Sequence, residues 1–386
     1  MTASKFTAYR RSDGRIGIRN LLLVMAVTDA ANPTARSIAA ELPGVVAIAP
    51  PYGRGQLGED LEQTIRTFVG LGSNPNVFGV LVISLESVAA ARVGDRIRQA
   101  GKLVECLSIQ EQHGTQPLKR KAISVLRAWT KKIERIEREP ASFKDLCIGL
   151  ECGGSDATSG LVSNPAIGIV TDRLIDAGGT AIFSEPVECL GGEALLQNRA
   201  KTKQISDDIL STIRKYEEIA MHAGIDLNKV NPAPDNIRGG LSSIEEKSLG
   251  SISKSGSRPI AGVLRYAEAP PQPGLFLMDA PAPATENITA LAAAGAQAIL
   301  FGTGMVNTIG SPVSPTIKIC ANPHSCTSMK THIDVDISNV ITGDANLDDA
   351  AERIARRLLR VTEGLLTRCE ALGETEIAIS RIGPSI

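Results

Sequence analysis

At 386 residues the chain exceeds the ~250–300 at which a single core stops growing, so two lobes are expected. It is 43% hydrophobic and 22% charged, as globular proteins are, and a net charge of −1 excludes the global basic field of a nucleic-acid binder. Aromatic residues make up only 3%, so the core must be built from Ala, Val, Ile and Leu, as in proteins with buried parallel strands.

Seven cysteines, at 106, 147, 152, 189, 320, 326 and 369, form no CxxC and no zinc-ligand spacing. They read as reduced thiols in a cytoplasmic chain. Residues 1–11 lack the apolar core of a signal peptide. The first apolar run, Leu21–Val27, is too short to span a bilayer, so no membrane partner is expected.

Residues 9–20, Tyr-Arg-Arg-Ser-Asp-Gly-Arg-Ile-Gly-Ile-Arg-Asn, set four arginines around a turn before the strand Leu21–Val27. Arginine forks match carboxylates and sulfonates. Arg10 and Arg11 read as a solvated arm. Arg15 and Arg19, with Asn20 beside them, are the candidates to face an anion.

The first strand empties into Thr28–Pro33 and a helix. A second, Val45–Ala49, empties into Pro50-Pro51-Tyr52-Gly53-Arg54-Gly55-Gln56 and a helix over 57–71. A third, Val77–Ile83, ends at Ser84-Leu85-Glu86-Ser87, and a fourth, Lys102–Leu107, ends near His113. This alternation predicts a mostly parallel sheet. A charged helix over 117–139 ends at Pro140, which sets lobes of 1–142 and 143–386.

The second lobe opens on a strand, Leu146–Leu150, running into Glu151-Cys152-Gly153-Gly154-Ser155-Asp156. The glycines permit a sharp turn and a close approach to a ligand, and a helix from about Pro165 to Ala177 follows. Open α/β sheets build their ligand sites at such carboxyl ends. A tight turn around a buried cysteine remains equally open on these residues alone.

A strand over 180–184 ends in Glu185-Pro186-Val187-Glu188-Cys189, and a helical stretch runs to about His222. Residues 231–240 read as a loop. Ser242-Ser243-Ile244-Glu245-Glu246 reads as a helix cap for at least one of its glutamates. Strands are expected over 262–266, 275–279, 298–301, 317–320 and 332–336, and a last helix over 347–372. The Gly302-Thr303-Gly304 turn lacks the spacing of a dinucleotide fingerprint.

The fold class expected is therefore α/β, two lobes with mostly parallel Rossmann-like sheets flanked by helices. Strand ends carrying Gly with Arg, Asn, Glu or Cys suit an enzyme acting on a small anionic hydroxy acid in a cleft. Arg15, Arg19 and Arg54 are the candidate anion binders. Glu86, Asp156, Glu185 and Glu188 are candidates for proton transfer or a divalent metal. Lys247 and Lys318 are candidates to stabilise an enolate, or are merely solvated.

Six stretches in order, YRRSDGRIGIRN (9–20), GQLGEDLEQTIRT (55–67), NPNVFGVLVI (74–83), ECGGSDATSG (151–160), GGLSSIEEKSLG (239–250) and GSPVSPTIKICANP (310–323), resemble the altronate/galactarate dehydratase family over essentially the whole chain. Family dehydratases usually carry a His-x-x-Gly-Cys type loop where this chain has Pro51–Gln56, and cysteines where it has Ala30 and Leu85. The PYGR loop, KICANP (318–323) and HIDVD (332–336) instead look like the large (beta) subunits of the family's (2R)-sulfolactate sulfo-lyases.

The resemblance implies elimination of sulfite from 3-sulfolactate to give pyruvate, with Fe2+ or another divalent metal as cofactor. It also implies a separate small SAF-domain subunit in a homo- or hetero-oligomer. Cys152, Asp156, Glu86 and Lys318 are the catalytic candidates. Arg15, Arg19, Asn20, Tyr52, Arg54, Gly153, Gly154, Ser155 and Asn322 are the substrate candidates. Glu185, Glu188 and Cys152 are the metal candidates. A sugar-acid dehydratase is the alternative, and a non-catalytic scaffold subunit the second.

Overall fold

A computed structural model describes residues 5–386. Buried β-branched and Leu-rich runs form two parallel sheets, because a strand covered on both faces must be apolar on both. The smaller sheet has the order Val45–Ile48, Leu21–Ala26, Val77–Ser84, Leu103–Ser108. The larger has seven strands, in the order Ile260–Leu264, Gly274–Met278, Thr180–Phe183, Cys147–Cys152, Ala298–Thr303, Thr316–Cys320, Val335–Asp336. Helices flank both, as the sequence pattern requires.

A third, antiparallel sheet was not expected. Lys5–Arg10 pairs with Ile16–Gly17 on one side and with Glu139–Ser142 on the other. The charged helix accordingly stops at Ile133, and Pro140 lies in an edge strand, where its missing N–H costs nothing. The loop expected over 231–240 contains the short helix Pro234–Arg238. The strand expected from His332 shrinks to Val335–Asp336, and the last helix breaks into Leu347–Thr362 and Arg368–Leu372 around Gly364 at φ +107°. Ser243 caps Ile244–Ser253 by accepting from the Glu246 N–H, as the sequence predicts.

The lobes share an apolar layer in which Leu23, Met25 and Phe68 of the first meet Tyr266, Phe276 and Phe301 of the second. Helices Gly58–Ser73 and Ala284–Ala293 cross at Gly70, where a Cβ would collide with the Ala293 carbonyl. Arg66, in the middle of the first helix, donates to the Tyr266 carbonyl, and the Tyr266 hydroxyl donates to the Glu286 carbonyl in the first turn of the second. Asn74, just past the end of the first, bonds the carbonyls of Ala292 and Ala296 at the end of the second. The two helices therefore run in the same direction, and the carboxyl edges of both sheets open on the same side of the molecule.

A C-terminal strap joins those edges. It pairs with Gly310, bonds Thr289 and Tyr266 through Ala378 and Ser380, meets Asp60 through Ile382, and ends with the Ile386 N–H on the Gly55 carbonyl at 2.9 Å.

Candidate active site

The strand Cys147–Cys152 delivers Cys152 to the carboxyl edge beside Gly302 of the neighbouring strand. Gly154 then turns with φ +63°, and its carbonyl accepts from the Gly304 and Met305 N–H groups at 3.0 and 2.9 Å. The turn is thus anchored to the adjacent loop.

From the next strand, Thr180–Phe183, comes Glu185. It holds a left-handed backbone, φ 65° and ψ 58°, which costs a non-glycine residue about 1–3 kcal/mol and recurs at functional sites. That bend turns its carboxylate toward Cys152, with Sγ and Oε2 3.9 Å apart.

Between them sits Lys254, at the end of helix Ile244–Ser253 and 1% exposed. Its Nζ donates to Glu185 Oε2 at 2.7 Å, Ser251 Oγ at 2.8 Å and Cys152 Sγ at 3.1 Å. Ser251, one turn earlier, also lies 3.5 Å from the sulfur.

Burial pushes the Glu185 carboxyl up, against the pull of Lys254. Burial and then the Glu185 charge push the Cys152 thiol up. Burial alone would lower the Lys254 ammonium, but Cys152 and the glutamates outweigh it and hold it above its ordinary value. The cluster keeps its cation, while its acids compete for one negative charge.

Glu151 precedes Cys152 and so points to the opposite face of the sheet. One carboxylate oxygen accepts from Asn287, which in turn accepts from Ser184 Oγ at 2.6 Å, and the other is buried without a partner. Burial, and then the Glu185 charge, push its carboxyl up, well above its ordinary value.

Lys318 lies in this row and not with Cys152, because Glu151, Phe301 and Lys318 are register partners across three strands. Its Nζ donates to the Ile309 carbonyl at 2.5 Å and stands 3.3 Å from the Phe301 ring centroid. Burial lowers its pKa to about 8.

The other expected residues divide by position. Asp156 is buried and accepts from the Ser159 N–H and Thr158 Oγ1 at 2.8 Å each and from Asn322 Nδ2 at 2.7 Å. Asn322 also caps the helix Pro323–Ser328. Asp156 and Asn322 therefore brace the turn that carries Gly153 and Gly154. Ser155 is held through its carbonyl by Asn236 at 2.9 Å. Glu188 is paired with Lys247 at 3.0 Å, which also reaches Asn231.

Arg15, Arg19 and Asn20 lie at the amino edge, because they precede the strand Leu21–Ala26. Arg15 bonds Asp13 at 2.7 Å and the Ser73 carbonyl. Arg19 is locked on Glu370 at 2.8 and 2.9 Å and on the carbonyls of Ile18, Val361 and Leu365. Asn20 accepts from Arg11 at 2.9 Å. The chain does not bring these three together with Cys152.

The carboxyl edge of the smaller sheet is a second focus. Gly53 is packed on Val27 and Thr28, Asn32 donates to the Pro50 carbonyl at 2.6 Å, and the Leu85 N–H donates to Thr28 Oγ1 at 3.1 Å. Ala30, Leu85 and the Tyr52–Arg54 loop therefore converge. Tyr52 lies under the Arg381 guanidinium at 4.7 Å. Arg54 is exposed and makes no hydrogen bond among the described residues, and Glu86 is half-buried with its carboxylate likewise unbonded. Gln56 is buried, and neither polar atom of its side chain has a partner.

The expected iron finds no adequate donor set here. Among the described residues no group of three His, Cys, Asp or Glu side chains is placed to hold a metal ion. Cys152 and Glu185 face an ammonium, and Glu188 is bound to a lysine.

Sequence reasoning missed Lys254, Ser251 and Glu151. Lys254 and Ser251 are spaced i, i+3 at the end of a helix whose buried residues are Ile and Ser, but Lys247 lies seven residues earlier on the same face, so spacing does not single Lys254 out.

Residues 143–385 match the model of the D-galactarate/altronate dehydratase C-terminal domain, and 8–134 that of the D-galactarate dehydratase/altronate hydrolase second domain. The chain belongs to the galactarate/altronate dehydratase family. It is an enzyme of the lyase class, as its relatives are. It is 40% identical to the (2R)-sulfolactate sulfo-lyase subunit beta of Chromohalobacter salexigens, over 98% of this chain and 97% of that one. Identity to the altronate dehydratases of Bacillus subtilis and Escherichia coli is 30% and 31%, over 99% and 98% of this chain and 78% of each of theirs. No helix among the described residues is long and apolar enough to cross a membrane.

Proposed function

We propose that this family member is the large subunit of a lyase that expels sulfite from (2R)-3-sulfolactate. The observation that carries the substrate class is the edge formed by Ala30, Leu85, Tyr52 and Arg54. Where the family's dehydratases carry His and Cys, this chain presents an unbonded guanidinium, which suits a sulfonate. The 40% relative, matched nearly end to end, supports the same reading.

In the proposed reaction a base takes the proton from C2. The C–H electron pair forms the C2–C3 double bond, and the C3–S bond breaks with its pair leaving on sulfite. The enol left behind becomes pyruvate. Hydroxide needs an acid or a Lewis acid to leave, whereas sulfite departs as a stable anion. Cys152 is the base candidate at the edge of the buried cluster.

The working enzyme is further proposed to include a separate small SAF-domain subunit, consistent with the relative's name as a subunit beta. A cytoplasmic location suits seven cysteines that are all free. The alternative, dehydration of a sugar acid, is favoured by the family matches. Turnover of the chain co-expressed with a small subunit decides between them. Equimolar sulfite and pyruvate from sulfolactate is expected, and dehydration of altronate with sulfolactate untouched would establish the alternative.

A further inference from the structure

We infer that the seat between Cys152 and Glu185 carries its own cation, the Lys254 ammonium, and takes no metal ion. Resting on the lyase reading above, this makes a fixed lysine charge the resident cation of the reaction site.

The spacing of the two acidic groups is that of a bridged pair. Sγ and Oε2 lie 3.9 Å apart, close enough for one cation to contact both. A transition metal there would take the sulfur at ~2.3 Å and the oxygen at ~2.0–2.2 Å. The position is filled instead by Lys254 Nζ, 3.1 Å from the sulfur and 2.7 Å from the oxygen. An ammonium has three N–H donors, and Ser251 Oγ takes the third at 2.8 Å. All its donors are used in directions that hold it in place.

Lys254 cannot readily yield the seat. It is 1% exposed, and its own carbonyl is held by Thr171 Oγ1 at 3.1 Å. Leaving would strand two acidic groups in the interior, which is more costly than a surface rearrangement. A metal entering beside it would place two cations within bonding distance of the same two ligands.

Nor do further ligands converge. Glu188 is held by Lys247 at 3.0 Å, and Lys247 by Asn231 at 2.7 Å. Glu151 leaves its strand on the opposite face. A seat with one thiol and one carboxylate falls short of the three protein ligands of an open metal site.

The test is the metal content of the chain, purified anaerobically from iron-supplemented cells with its small subunit where the two co-purify. Wild type is compared with Cys152→Ser and Glu185→Gln, and circular dichroism checks that each variant is folded. Cobalt(II) titration of wild type adds a direct probe, since thiolate ligation produces a charge-transfer band. Expected is no cobalt–thiolate band and the same metal content in all three proteins, whether that content is nil or reflects metal bound elsewhere. Stoichiometric metal in wild type that is lost in the folded variants would overturn the inference, as would a cobalt–thiolate band that Cys152→Ser abolishes. Neither readout uses substrate, so failure of the sulfo-lyase reading would show separately, as absent sulfite release from a chain whose seat is still metal-free.

Discussion

Lys254 and Glu185 form an ion pair of 2.7 Å in which each side chain is 1% exposed, and Glu185 reaches it only by adopting a left-handed backbone. Breaking a buried pair from one side typically costs ~3–5 kcal/mol, because the other charge is stranded. Lys254→Met is expected to destabilise the chain by about that much in urea unfolding. Adding Glu185→Gln should recover part of the loss. Equal and additive losses in the double-mutant cycle would show that the two residues do not act as a pair.

Arg54 has the opposite character. It is exposed and makes no hydrogen bond or ion pair among the described residues, so none of their packing depends on it. Arg54→Lys keeps the charge and loses the planar fork. One charge-assisted contact is worth ~1.5–3 kcal/mol, or roughly ten- to hundredfold in kcat/KM. Sulfolactate turnover should fall by that factor with the melting temperature unchanged. Wild-type kinetics in the variant would mean that Arg54 is only a solvated rim residue.

Both parallel sheets were legible because their strands are apolar on both faces, and the glycine turns marked the carboxyl edges where sites form. The antiparallel sheet was missed although Lys5–Arg10 alternates polar and apolar as a half-buried strand does, because its partner strand contains Pro140, which reads as a helix stop. Arg15 and Arg19 drew attention by residue type, yet both precede their strand, and that position alone assigns them to the amino edge. Lys254 was passed over for the opposite reason. It stands 102 residues from Cys152 and outside the quoted motifs, and only the packing of its helix joins them. Side-chain burial, which makes that lysine significant, cannot be read from spacing.

Lys102 supplies a pH-dependent stability. Burial lowers its pKa to about 6, and its amine donates to the carbonyls of Asn74 at 2.8 Å and Val77 at 2.6 Å. In the unfolded chain it titrates near its ordinary value, ~10.4. Between those two values the unfolded state binds the extra proton, so this group makes stability rise with pH, by up to about 1.4 kcal/mol per unit. Lys102→Met should flatten the urea-derived slope between pH 7 and pH 9 by about that amount. An unchanged slope would place the charged form in the folded protein.

Asp156 was expected to be catalytic, and its surroundings assign it a second, structural demand. It accepts from Ser159, Thr158 and Asn322, and it is enclosed by two glycines, since a Cβ on Gly304 or Gly239 would collide with it. Asp156→Ala would leave three donors without their acceptor and a void between the glycines. Each stranded buried group costs ~1–3 kcal/mol, so a loss of about 3 kcal/mol or more is expected. Asn322→Ala removes one of the same bonds together with a helix cap, and should cost ~1–2 kcal/mol by itself. Because the two variants share a bond, the double variant should lose less than the sum. If Asp156→Ala instead kept full stability while activity vanished, the brace would be irrelevant and Asp156 would belong wholly to the chemistry.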